Sequence, residues 1–172
     1  MLILAGICFV LAAGLLILNT SSATDQVSVS GPAQVGTRFG DFSLADISGG
    51  RQSLVNYAGR PVILNIWATW CPPCKAEMPA LNTYYQAHQK DGLVILGVNA
   101  GETRDQAAVF AQTYGLSFPI LLDPEEKVME AAHINDYPTS ILIGRDGLVK
   151  AVHIGMLTPA LLETEFTPNL SR

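Results

Sequence analysis

The chain has 172 residues, of which 49% are hydrophobic and 15% charged, and a formal net charge of −5. That composition excludes a disordered chain, and the scattered Lys and Arg exclude the concentrated basic footprint of a nucleic-acid binder. Three cysteines are too few for a disulfide-stapled mini-scaffold or a four-thiolate zinc site.

Mean hydropathy is +0.29, high for a plain soluble domain, and the excess sits at the front. Leu2–Leu18 (LILAGICFVLAAGLLIL) holds no charged side chain. As a helix it spans about 25 Å, against a hydrocarbon core of about 30 Å. Asn19–Ala23 supplies an uncharged flank for the headgroup region. Residues 1–19 are therefore expected to be a single transmembrane anchor in the bilayer, or a signal segment cleaved near Ser21-Ser22-Ala23. Either reading puts the rest outside the cytoplasmic membrane of a bacterium, on the periplasmic side. Cys8 reads as a small apolar residue of this segment. Residues 20–36, rich in Ser, Thr and Gly, read as a linker, and 37–172 as the folded domain.

Within that domain strand and helix signals alternate. Arg38–Asp46 and Gln52–Val55 flank the Gly49-Gly50 turn and predict a hairpin. Pro61–Trp67 (PVILNIW) and Leu93–Val98 (LVILGV) are short apolar runs, the pattern of buried strands. Pro72–Lys90 carries apolar residues at helical spacing. Thr103–Tyr114 is a helix with Gln106 three residues after Thr103, a capping-box spacing, and Gly115 as its stop. Phe118–Leu122 predicts a strand and Pro124–Ala132 a helix with Pro in its first turn. Ser140–Ile143 and Val149–Ile154 flank the turn Arg145-Asp146-Gly147. Thr158–Phe166 closes the chain as a helix. The order predicts an α/β fold, a mixed sheet flanked by helices.

The strongest chemical signal is Trp70-Cys71-Pro72-Pro73-Cys74, which follows a buried strand and opens a helix. A C-x-x-C in that context points to redox chemistry. Unpaired N–H groups and the macrodipole at a helix N-terminus favour an anion, and the thiolate is the nucleophile of disulfide exchange. A helix terminus supplies at most about 2 kcal/mol, or about 1.5 pKa units. Three residues along the first turn bring Cys74 beneath Cys71, within disulfide reach. Cys71 is expected to be the exposed attacker and Cys74 the buried resolver, while Pro72 and Pro73 stiffen the turn. A structural disulfide and a metal site are the rival uses. The first closes too small a loop to stabilise much. The second lacks further ligands, since His88, His133 and His153 are dispersed, so no metal is assigned.

With Tyr137-Pro138-Thr139 ahead of the strand Ser140–Ile143, this motif resembles the thioredoxin superfamily. Asn65–Pro79 (NIWATWCPPCKAEMP) and Leu96–Val149 resemble more closely its membrane-anchored ResA/TlpA-like thiol–disulfide oxidoreductases, and the likeness runs over about Val35–Leu157. The resemblance implies a thioredoxin-like sheet with an N-terminal β-hairpin and a central β-α insert within Leu93–Leu122. It implies a cis Pro138 facing the disulfide, with the backbone of Tyr137 held open for a substrate strand. Trp70, Pro72, Tyr137 and Thr139 then flank a bound protein. Thioredoxin has a buried Asp where this chain has Asn65, which takes up no proton at ordinary pH. Glu77, three residues after Cys74 and on its helix face, matches the family's acid and becomes the candidate base. Burial near the thiols is expected to raise its pKa. Glu102, in the insert stretch Asn99–Thr103 (NAGET), is a second acid that would face the site. The chain departs from the family in lacking an Ala-Pro pair near Thr37-Arg38-Phe39.

The resemblance implies reduction of disulfides in partner proteins without a cofactor. The favoured substrate is apocytochrome c before haem attachment, and a membrane thiol-transfer protein returns the electrons. The rivals are a thiol reductase for a copper-site protein, a copper metallochaperone, a peroxiredoxin-type peroxidase and a redox-inert binding module. The x₂ spacing disfavours the metallochaperone. The absence of a P-x₃-T/S-x-x-C context disfavours the peroxidase, and the intact cysteine pair disfavours the inert module.

Overall fold

A computed structural model describes residues 24–170. The strands are β1 Gln26–Val27, β2 Phe42–Asp46, β3 Arg51–Ser53, β4 Val62–Trp67, β5 Val94–Ala100, β6 Ile120–Asp123, β7 Thr139–Ile143 and β8 Val149–Ile154. The helices are α1 Pro72–His88, α2 Arg104–Thr113, α3 Lys127–Ala131 and the short α4 Pro159–Leu161. The sheet order is β1-β2-β6-β5-β4-β7-β8, with β3 on β2. β4 runs parallel to β5 and antiparallel to β7, so the expected mixed sheet, N-terminal hairpin and central insert are all present.

β4 and β5 are buried along their whole length, as strands covered on both faces must be. Side chains alternate across a strand, and β4 sorts accordingly. Val62, Leu64 and Ile66 pack with Phe42, Leu44 and α3 residues Val128 and Met129. Ile63 and Trp67 pack with Cys74, Met78 and Leu81 of α1 and Phe110 of α2. Asn65 therefore falls on the α1 face, beneath the active-site helix. Gly97 on β5 leaves room there for a ring, since a Cβ would come within 3.0 Å of Phe118 and 3.1 Å of Trp67 Nε1. Trp67 stacks at a tilt on Phe110, with centroids 4.6 Å apart.

Several expectations are corrected. The segment read as linker joins the domain: Gln26 pairs with Ser43, Val27 with Phe42, and Val29 is buried. Alternation of Val27 and Val29 with polar neighbours is a strand signal that the Ser/Gly composition masked. The helix expected over Pro124–Ala132 begins only at Lys127, because the Asp123 carboxylate accepts the N–H groups of Lys127 (2.8 Å) and Val128 (2.9 Å). Pro124 stays outside in the turn. The strand expected to Val55 stops at Ser53, and a 3₁₀ turn follows over Leu54–Tyr57. The closing helix continues from α4 as a π turn over Leu162–Phe166. Among the described residues no helix is long and apolar enough to cross a membrane; the expected anchor Leu2–Leu18 lies outside them.

Candidate active site

β4 ends at Trp67, and α1 starts at Pro72 after four intervening residues. Cys71 is the N-cap of α1, in extended conformation, and its Sγ accepts the N–H of Cys74 at 3.2 Å. Pro72 and Pro73 occupy positions whose N–H groups would have no helical partner, so nothing is lost. Cys71 and Cys74 form a disulfide with Cα atoms 5.3 Å apart.

The expectation of an exposed attacker is corrected: Cys71 is 2% exposed and Cys74 0%. Cys71 belongs to the apolar cluster of Trp67, Ala68 and Leu157, against which Tyr137 packs. Solvent meets Trp70, 61% exposed, and the exposed Pro72 and Pro73. The Trp70 ring lies edge-on to Tyr137, with centroids 5.3 Å apart.

The Tyr137–Pro138 peptide is cis, as the resemblance implied. The Pro138 carbonyl accepts the N–H of Gly155 at 2.8 Å. Tyr137 donates its hydroxyl to Glu126 Oε1 at 3.1 Å and reaches Met129 Sδ at 2.8 Å. Burial, with the Glu126 carboxylate beside it, holds the Tyr137 phenol well above its ordinary range. Thr139 is buried, its hydroxyl given to the Asp136 carbonyl at 2.7 Å. That side chain braces the turn from within; of the four expected contacts, only Trp70, Pro72 and Tyr137 reach solvent.

Glu77 lies one turn below Cys74 and is fully buried. Its Oε2 accepts the N–H of Leu157 at 2.8 Å and its Oε1 accepts Asn65 Nδ2, also at 2.8 Å. Asn65 Nδ2 also donates to Ser140 Oγ at 2.9 Å, since the β4–β7 register sets Asn65 opposite Ser140. Burial pushes the Glu77 carboxyl up to about 7, and the hydrogen bonds from Leu157 and Asn65 only partly oppose it. A carboxyl poised near neutrality can take up or release a proton during exchange. The Oδ1 of Asn65 is a buried acceptor with no partner among the described residues.

Glu102 is 6% exposed and holds the β4–α1 loop through Thr69. Ser140, Thr69 and the Leu157 N–H were missed from the sequence. Their places depend on strand register and on contacts between distant segments, which no local pattern carries.

A fold of this topology with a redox-paired C-x-x-C at a helix start defines a thioredoxin-like thiol–disulfide oxidoreductase. Residues 35–152 match the AhpC/TSA family, and the chain belongs to that family. Thiol-disulfide oxidoreductase ResA of Geobacillus thermodenitrificans is 42% identical over 124 residues, 72% of this chain and 71% of the relative. Thioredoxin-like protein YneN of Bacillus subtilis is 35% identical over 163 residues, 93% of this chain and 94% of the relative. Among solved structures, StoA of Bacillus subtilis superposes with a TM-score of 0.64 at 32% identity, covering 77% of this chain and 97% of StoA. Within the superfamily the chain is of the ResA type.

Proposed function

We propose that the protein reduces disulfides in extracytoplasmic partner proteins, tethered there by Leu2–Leu18, and that apocytochrome c is its substrate. The reduced pair acts in two steps. The Cys71 thiolate attacks a partner sulfur, forming a mixed disulfide and expelling the partner's other sulfur as a thiolate. Cys74 then attacks Cys71 Sγ, closing the Cys71–Cys74 disulfide and releasing the second partner thiolate. Two electrons pass to the partner, and its two thiolates are protonated. Glu77 takes the Cys74 proton as Cys74 becomes a nucleophile. A membrane thiol-transfer protein reopens the disulfide by the reverse chemistry.

The observation that carries this reading is the pairing of a disulfide at the start of α1 with a fully buried Glu77 one turn behind it, pushed up to about 7. Cys71 is the N-cap of α1 and its Sγ accepts the Cys74 N–H at 3.2 Å, which supports its role as attacker. Trp70, Pro72 and Tyr137 form the rim over which the partner strand lies, and the buried cis Pro138 and Thr139 hold that rim in place. A trap tests it. Cys74→Ala in cells should accumulate mixed disulfides through Cys71, and mass spectrometry should identify a C-x-x-C-H cytochrome. Capture of a copper-site protein would redirect the substrate to copper-centre assembly. Capture of nothing, while the wild type turns over, would end the two-step mechanism.

A further inference from the structure

The central insert sends one side chain back to the redox loop. Glu102 stands between β5 and α2, immediately before Thr103, which closes a capping box with Gln106. On its other side the Gly101 N–H is fixed to the Asp123 carbonyl at 3.0 Å. From this rigid base the Glu102 carboxylate takes three donors. Oε2 accepts the backbone N–H of Thr69 at 2.7 Å and the side-chain amide of Asn99 at 2.7 Å. Oε1 accepts the Thr69 hydroxyl. Thr69 lies inside the turn that the Cys71 N–H closes onto the Ala68 carbonyl at 3.3 Å.

Carboxylates are almost never buried unless paired or hydrogen-bonded, because their desolvation is costly. Here two of the three donors belong to a single residue 33 positions away in the chain. We infer that Glu102 is a positioning residue for catalysis: it clamps Thr69 so that Cys71 stays seated on the N-terminus of α1. Cys71 is the N-cap, and its sulfur meets the Cys74 N–H only while the loop keeps this place. A loosened loop moves the sulfur away from the N–H groups that favour its thiolate. The clamp gives the central insert a task in the chemistry. It rests on the reading of Cys71 as attacker.

The test separates shape from charge. Glu102→Ala removes every acceptor. Glu102→Gln removes the charge but keeps the clamp: its amide oxygen serves the Thr69 and Asn99 N–H groups, and the Thr69 hydroxyl turns to accept from its NH₂. The reduced full chain is alkylated with iodoacetamide across pH, and mass spectrometry follows Cys71. Glu102→Ala should raise the midpoint by about one unit, through loss of the helix-terminus effect. It should also slow exchange with oxidised glutathione by about threefold at neutral pH, since the smaller thiolate fraction is partly offset by a more nucleophilic thiolate. Glu102→Gln should stay at or below the wild-type midpoint, because a neighbouring negative charge is gone.

A midpoint for Glu102→Ala at or below wild type would overturn the inference, and so would a rise in Glu102→Gln equal to that in Glu102→Ala. Should Glu102→Ala fail to fold, Thr69→Val takes its place. It should show a smaller rise of the same sign, and no rise overturns the clamp. First alkylation at Cys74 in the wild type would instead refute the assignment of the attacker.

Discussion

Two buried carboxylates flank the disulfide, one behind it on α1 and one ahead of it on the insert, and they are solvated differently. Glu77 is wholly enclosed and receives two N–H donors. Burial outweighs them, and the group is pushed up to about 7. Glu102 receives three donors, two from the loop that carries Cys71. Burial places the first carboxyl near neutrality; the oxygens of the second hold the Thr69 backbone and hydroxyl. One buried carboxyl is thus pushed up by its enclosure, while the other binds the backbone and hydroxyl of the loop that carries Cys71.

The largest expected effect comes from crowding the helix-side acid. Asn65→Asp sets a second carboxyl where an amide now donates to Glu77 at 2.8 Å. Two carboxylates at that distance cannot both ionise without a large cost. Urea unfolding of the oxidised protein at pH 8 should show a loss of about 2–4 kcal/mol against wild type. At pH 5 the pair keeps a proton between its members and the loss should be small. An equal loss at both pH values would place the cost in packing and contradict the charge reading.

A smaller effect of opposite sign is expected from Glu77→Gln. The folded carboxyl titrates near 7, above its ordinary 4.5, so between those values the folded state binds more protons than the unfolded state. Stability therefore falls as pH rises from about 4.5 to about 7, by at most about 3 kcal/mol. Glu77→Gln removes that fall. It should match wild type near pH 5 and exceed it by about 1–2 kcal/mol at pH 8. Parallel stability curves for the two proteins would show that Glu77 does not titrate in this range.

Part of the fold and of the site was legible in the sequence, but the asymmetry between the two acids was not. The apolar runs of β4 and β5 announce buried strands. The cysteine pair at a strand–helix junction announces the chemistry, and helical spacing sets Glu77 under Cys74. All of that is local. The Asn65–Ser140 contact needs the antiparallel register of β4 on β7. The Thr69–Glu102 contact needs the insert folded back onto the loop. The near-complete cover over Cys71 comes in part from chain segments far from it in sequence, including Tyr137 and Leu157. A capping aspartate, Asp123, overrode the helix-start signal of Pro124, and a two-residue edge strand lay within a stretch whose composition reads as linker.

The thiolate of Cys71 is the centre of the account, and its titration is the most direct measurement. In the reduced protein, the pH dependence of Cys71 alkylation should give a midpoint below the ordinary thiol value of about 8.5. A midpoint at or above that value would mean that enclosure outweighs the helix start, and Cys71 would not be the activated nucleophile.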